Sequence, residues 1–214
     1  MYSGELEAHN RFNARENLQN LFDRAFLVGD KGNLRENYKA LRHLEFSESL
    51  EKVNERINLS ALAENLTTAC DILVSDTGVS FVFCGNDTCH IYGNGRALTK
   101  AILNLLSNAY LHGKGNLITV KTIENAEYTK IEVKNEGNFY CIDYGKGLSL
   151  VRRNCTESGG AFFVKTDLFT TTAVMIIKKV PANNCKDFYV PDFYEYLSDR
   201  LSPVYVEMFG MEYR

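Results

Sequence analysis

Two asparagines, Asn104 and Asn108, stand one turn apart in the middle of "LTKAILNLLSNAYLHG" (Leu98–Gly113), a segment otherwise patterned as an apolar helix. Asparagine is a mediocre helix former and costs free energy when buried without partners. A pair of amides on a core-facing helix therefore asks for a task. A second unusual stretch is "YGKGLSLVRRNCTESGG" (Tyr144–Gly160), where a glycine pair opens a helix. Glycines at a helix start let backbone N–H groups approach an anion closely, and the helix dipole favours the negative charge. A third is "IEVKNEG" (Ile131–Gly137), a strand ending in polar residues and a glycine. A lone GxG is a common turn, but its order after the asparagine helix and the polar strand end is much more specific. Metal binding is less well supported. The six cysteines (70, 84, 89, 141, 155 and 185) include no CxxC pair, and the nearest approach to a ligand set is "CGNDTCH" (Cys84–His90) around a turn. Reduced structural thiols are the expectation.

The elements that must position these residues are legible in the periodicity. Leu18, Leu21, Phe22, Ala25 and Phe26 form one helical stripe, "VGDKGN" (Val28–Asn33) breaks it, and Leu34, Tyr38, Leu41, Leu50, Val53 and Ile57 continue as a second. Together they describe an antiparallel helical hairpin whose stripes must meet another surface, most simply a second copy in a four-helix bundle. "NLSALAENLTTACDILV" (Asn58–Val74) reads as a third helix and "GVSFVFCGNDTCHIYG" as a β-hairpin. After the asparagine helix, "NLITVKTIENAEYTKIEVKNEG" alternates as two strands around "ENAE". "GLSLVRRNCTESGG" is a helix ended by glycines, and "GAFFVKTDLFTTTAVMIIKKV" is a final hairpin. Strand pairs alternating with helices, with no βαβ crossover evident, predict an α+β fold with helices on one face of a mainly antiparallel sheet.

Composition bounds the rest. The 214 residues are 45% hydrophobic and 24% charged, in the range of ordinary globular proteins, with a net charge of −3 and no basic block, which argues against nucleic acid as the main ligand. No apolar run reaches the ~20 residues of a membrane span. The polar N-terminus does not read as a signal peptide, so a cytoplasmic location is expected. All three prolines and many aromatics fall after residue 180. Those aromatics are expected to pack back on the domain, or else to form a docking surface for a partner.

Taken together, these residues resemble the ATP-binding domain of sensor histidine kinases. Its wider superfamily includes the Hsp90 chaperones, gyrase, MutL and the anti-sigma serine kinases. "LNLLSNAYLHG" resembles the family's N-box, "VKNEG" its first glycine box and "GKGLSLVRRNCTESGG" its second. The resemblance implies a helical hairpin for dimerisation and phosphotransfer over 1–57. An α/β-sandwich (Bergerat-type) ATP-binding domain with a mixed, mainly antiparallel sheet follows over 58–180, then an aromatic C-terminal extension over 181–214. It implies ATP and Mg²⁺ as cofactors, with Asn108 as the metal ligand and Asn104 beside the phosphates or sugar. An amide oxygen is a hard neutral ligand suited to Mg²⁺. The same resemblance assigns Asn135 to the adenine amino group and places Gly137 in the first glycine box. Gly145, Lys146, Gly147 and Leu148 fall in the second, and His112 falls near the phosphates. Thr172, or its neighbour Thr171, would contact adenine through water. Superfamily members that hydrolyse ATP carry a glutamate where Asn104 stands, and its replacement fits a phosphotransferase.

The departures are specific. Asn135 replaces the family's aspartate, which removes an ionised acceptor and about 1–2 kcal/mol of nucleotide affinity. Phe139 replaces the second glycine of the first box, and the short segment from Gly137 to Gly145 implies an abbreviated lid. The phosphoacceptor implied by the resemblance is His9, with Asn13 four residues on, but Asn10 and Ala14 stand where the family has an acid and a proline. His43 is the other candidate. The resulting expectation is the catalytic portion of a histidine kinase, homodimeric through its N-terminal helices and serving a response regulator. The alternatives are a degenerate histidine phosphotransferase or scaffold that does not use ATP, and an anti-sigma-type serine kinase or binding module.

Overall fold

Asn58 and Asn94 begin helices by the same device. Each has extended backbone, and its side-chain oxygen accepts a hydrogen bond from the third residue on, Ala61 N at 3.1 Å and Ala97 N at 2.9 Å. These caps fix the starts of the two helices on which the core is built. The computed structural model describes residues 2–48, 53–85, 89–137, 146–179 and 185–209, with the side chains of α1 described from Asn13 onward. The elements run α1 (Tyr2–Val28), α2 (Lys31–Glu48), β1 (Glu55–Asn58), α3 (Leu59–Leu73), β2 (Ser80–Phe83), β3 (His90–Gly93) and α4 (Gly95–His112). They continue with β4 (Leu117–Glu124), β5 (Tyr128–Glu136), α5 (Lys146–Glu157), β6 (Ala161–Thr166), β7 (Thr170–Lys178), β8 (Lys186–Asp187), α6 (Phe193–Ser198) and α7 (Pro203–Phe209).

Five strands form one sheet in the order β2-β4-β5-β7-β6, antiparallel except for the parallel pair β2·β4. The α+β architecture with a mixed, mainly antiparallel sheet is therefore as expected. Alternation aims Ile118, Val120, Ile131 and Val133 at a helical layer made of α3, α4 and α5, where they join Leu62, Leu66, Ile102, Leu106 and Val151 in one core. The hairpin β4–β5 turns at "ENAE", with Asn125 Oδ1 accepting from the amides of Glu127 and Tyr128. Gly159, at φ +69°, lets α5 turn back into β6.

Three expectations are corrected. "GVSFVFCGNDTCHIYG" is not a hairpin. β2 lies at the edge of the large sheet, whereas β3 pairs with β1 in a separate three-stranded sheet ordered β3-β1-β8. The β2·β4 pair is parallel, so the chain does contain a crossover, running through β3 and α4. Ile57 does not continue the second helical stripe. It is the buried residue of strand β1, α2 ends at Glu48, and Leu50 lies outside the described residues.

The hairpin α1–α2 also finds part of its partner surface in its own chain. Phe22, Tyr38 and Leu41 pack with Leu201 and Val206 of the C-terminal tail. Of the first stripe, Leu21 and Phe26 stay about half exposed, as do Leu27 and Val28 beside them to a greater degree. The tail packs back on the domain. Phe188 covers Gly95 at the start of α4 and its amide donates to Arg56 O, while Tyr196, Val204 and Met208 enter the main core.

Candidate functional site

Helix α4 is buried around nearly its whole circumference by the sheet and by α3, α5 and α7. A helix in that position is expected to be apolar all round, yet Lys100, Asn104, Ser107 and Asn108 recur at the i, i+4, i+7, i+8 spacing of one face. Asn104 is 3% exposed and its Nδ2 donates to Lys100 O at 2.8 Å. Its Oδ1 lies against Gly147, the second residue of α5, so closely that a Cβ added there would sit 2.2 Å away. The glycine-opened helix is thus seated directly on the first asparagine. Asn108, one turn on, is half-buried, and its side chain makes no hydrogen bond among the described residues. Its amide is uncommitted, unlike that of Asn104.

The far end of α4 meets the end of β5. Lys114 N donates to Glu136 O at 2.9 Å, and a Cβ on Gly113 would lie 3.4 Å from Asn135 Nδ2. Asn135 is buried, with Nδ2 donating to Glu136 O at 3.0 Å, an arrangement that leaves Oδ1 as the free acceptor of the amide. The antiparallel register puts Thr171 directly opposite Asn135 on the same face, and Thr171 Oγ1 donates to Gly137 O at 2.7 Å. Gly137 has φ +116° and its amide donates to Phe169 O, a backbone conformation that excludes most side chains.

Thr172 does not share this place. It pairs with Lys134, on the opposite face of the sheet, so Thr171 takes its position beside Asn135. Leu148 packs against the core, and His112 is exposed in the last turn of α4. Gly145 and Phe139 lie outside the described residues. Lys146 opens α5 and His9 lies on α1, with both side chains outside the described part. His43 is exposed on α2.

No protein-family model matches the sequence, and no curated protein matches it by sequence. Solved structures do match. The catalytic domain of histidine kinase ThkA is 18% identical, with 60% of this chain and 99% of that chain covered and a TM-score of 0.53. Acinetobacter baumannii histidine kinase AdeS is 13% identical, covering 80% and 96% at a TM-score of 0.57. Full-length ShkA in complex with AMPPNP is 15% identical, covering 84% of this chain and 47% of that one at a TM-score of 0.63. The fold is that of a histidine kinase ATP-binding domain. Within this fold the asparagine helix is α4, Gly137 follows the end of β5, and Gly147 lies in the first turn of α5. The structure brings Asn104 together with Gly147, and Asn135 together with Thr171 and Gly137.

Sequence reasoning missed a further cluster on the same helix. Glu207 of α7 is fully buried. It pairs with Lys100 at 3.2 Å, accepts from Ser107 Oγ at 3.2 Å, and forms an ion pair with Arg42 of α2. Lys100 and Ser107 were visible as polar members of the asparagine stripe, but Glu207 carries no local signal. Among the described residues no group of three His, Cys, Asp or Glu side chains is placed to hold a metal, and the described cysteines are free thiols. Among the described residues no helix is long and apolar enough to cross a membrane.

Proposed function

We propose that the chain is the ATP-binding catalytic portion of a two-component histidine kinase, acting in the cytoplasm on a histidine and, through it, on a response regulator. The observation that carries this reading is the seating of Gly147 on Asn104, which sets the start of α5 against the asparagine face of α4. The residues present fit ATP and Mg²⁺. The first-turn amides of α5 offer an anion site, and the absence of a side chain at Gly147 lets that turn approach Asn104 closely. Asn108 has an uncommitted amide oxygen for the cation. Asn135 keeps Oδ1 as an acceptor for an amino group because its Nδ2 is occupied by Glu136 O.

Bound ATP with Mg²⁺ supplies an activated γ-phosphoryl group, and transfer breaks its bond to ADP as a P–N bond forms at imidazole. The chain's own contribution is positioning. Asn104 holds the start of α5, Gly137 and Thr171 hold the end of β5 through the Thr171–Gly137 bond, and Asn135 orients the base. His9 is the proposed acceptor. Dimerisation through the hairpin would use Leu21, Leu27 and Val28, which remain exposed on α1. Incubation with γ-labelled ATP should give acid-labile, alkali-stable label on the chain, lost in His9→Gln. Label that persists in His9→Gln moves the acceptor elsewhere, with His43→Gln as the next variant. No label at all, with nucleotide bound, removes the kinase reading.

One observation favours a second reading. Nδ2 of Asn104 and Nδ2 of Asn135 each donate to a backbone carbonyl of the chain itself, which suits a degenerate phosphotransferase or scaffold that keeps the architecture and does not use ATP. The α1–α2 hairpin counts against an anti-sigma-type module.

A further inference from the structure

The tail helix α7 is only seven residues long, yet its two sides belong to different cores. Val204 and Met208 enter the main core with α3 and α4. Val206, with Leu201 ahead of it, enters the hairpin core with Phe22, Tyr38 and Leu41. Tyr38 Oη also donates to Arg200 O at 3.2 Å, and the Arg200 guanidinium lies 3.7 Å from the centre of the Phe26 ring. Between the two apolar sides sits Glu207, at 0% exposure. Its carboxylate takes Arg42 from the hairpin and Lys100 and Ser107 from α4.

A buried carboxylate is tolerated only when its charge is matched, and removing one member of such a group strands the others. Glu207 Oε1 has both of its donors, Arg42 and Ser107, only when α2 and α4 are in place, whereas Oε2 makes no hydrogen bond among the described residues and faces the Lys100 ammonium at 3.2 Å. The cluster thus selects one register of the hairpin against the domain, the best-attested use of buried charge.

We propose that the C-terminal tail is an intramolecular clasp that fixes the N-terminal hairpin on the ATP-binding-like domain, with Glu207 as its latch. The clasp does not depend on nucleotide binding. Opening it frees the hairpin while the sheet and its helical layer stay folded.

Hydrogen exchange on the full chain tests this directly. In Glu207→Gln, which keeps shape and removes charge, amides of α1, α2 and α7 should exchange at least tenfold faster, with β4, β5 and β7 at parent rates. Arg42→Met removes only the hairpin's share of the latch. It should loosen α1 and α2 while α7 stays protected through Lys100. Parent-like protection of α1 and α2 in both variants overturns the proposal. So does equal acceleration in every element, which would make Glu207 an ordinary contributor to global stability.

Discussion

Replacing Gly147 by alanine probes the contact on which the site is built. The new Cβ would lie 2.2 Å from Asn104 Oδ1, about 1 Å inside van der Waals contact. Asn104 cannot retreat freely, because it is buried and its Nδ2 is tied to Lys100 O. Either α5 shifts, at an overpacking cost of about 1–3 kcal/mol, or Asn104 rotates and gives up a hydrogen bond worth about 1 kcal/mol. Alanine's better helix propensity returns up to about 1 kcal/mol. The net expectation is a destabilisation of up to about 2 kcal/mol, or up to about 8 °C in Tm for a chain of this size. Truncating the opposing side chain should abolish the clash. In an Asn104→Ala background the same Gly147→Ala change should be neutral or stabilising, giving a coupling of about 1–3 kcal/mol in a double-mutant cycle followed by thermal or urea denaturation. Equal effects of Gly147→Ala in both backgrounds would refute the contact and, with it, the seating of α5 on α4.

Asn135→Asp should lower stability without ligand by about 1–2 kcal/mol, because a carboxylate cannot donate to Glu136 O and would face that carbonyl instead. With an ATP analogue and Mg²⁺ its affinity should rise by about tenfold, so the variant's Tm without nucleotide should fall while its nucleotide-induced stabilisation exceeds the parent's by about 1.4 kcal/mol. Alkaline pH should destabilise the fold. Burial pushes the Cys155 thiol up to about 12 and also raises the Cys70 thiol and the Tyr196 phenol. The folded state thus binds more protons than the unfolded chain above about pH 9, and stability is lost as pH rises from there. Cys155→Ala should shallow the slope between about pH 9 and 12 by up to about 1.4 kcal/mol per pH unit, measured by urea denaturation across that range. Because β1 and its buried Ile57 belong to the domain, the dimer is tested on the exposed face of α1: Leu27→Lys with Val28→Lys should convert dimers to monomers in light scattering, and a variant that stays dimeric would place the interface elsewhere.

The parts of this architecture set by local pattern are legible in the chain's own residue order. The stripe of α3, the alternation of β4 and β5 and the glycine stop after α5 each need only neighbouring residues. The turn-like "GND" between two short apolar runs satisfies the local rule for a hairpin, but strand choice is decided at a distance. Phe81 pairs with Ile118, whereas Ile91 pairs with Ile57. β1 offers one inward side chain in four residues, too little for alternation to register. The difference between Thr171 and Thr172 is a matter of strand register, where a slip of one residue exchanges the faces. The paired asparagines are conspicuous because they interrupt an apolar helix. Glu207 is not, since it meets Arg42 from 165 residues away.

The central claim is a working nucleotide site built on α4, α5 and the end of β5. Calorimetric titration of the full chain with a non-hydrolysable ATP analogue and Mg²⁺, beside Asn108→Ala, tests it most directly. Micromolar to submillimolar binding that weakens at least tenfold in the variant is the predicted result. Absence of binding up to millimolar analogue, with the protein folded, would contradict the account and leave the chain a scaffold or phosphotransferase that does not use ATP.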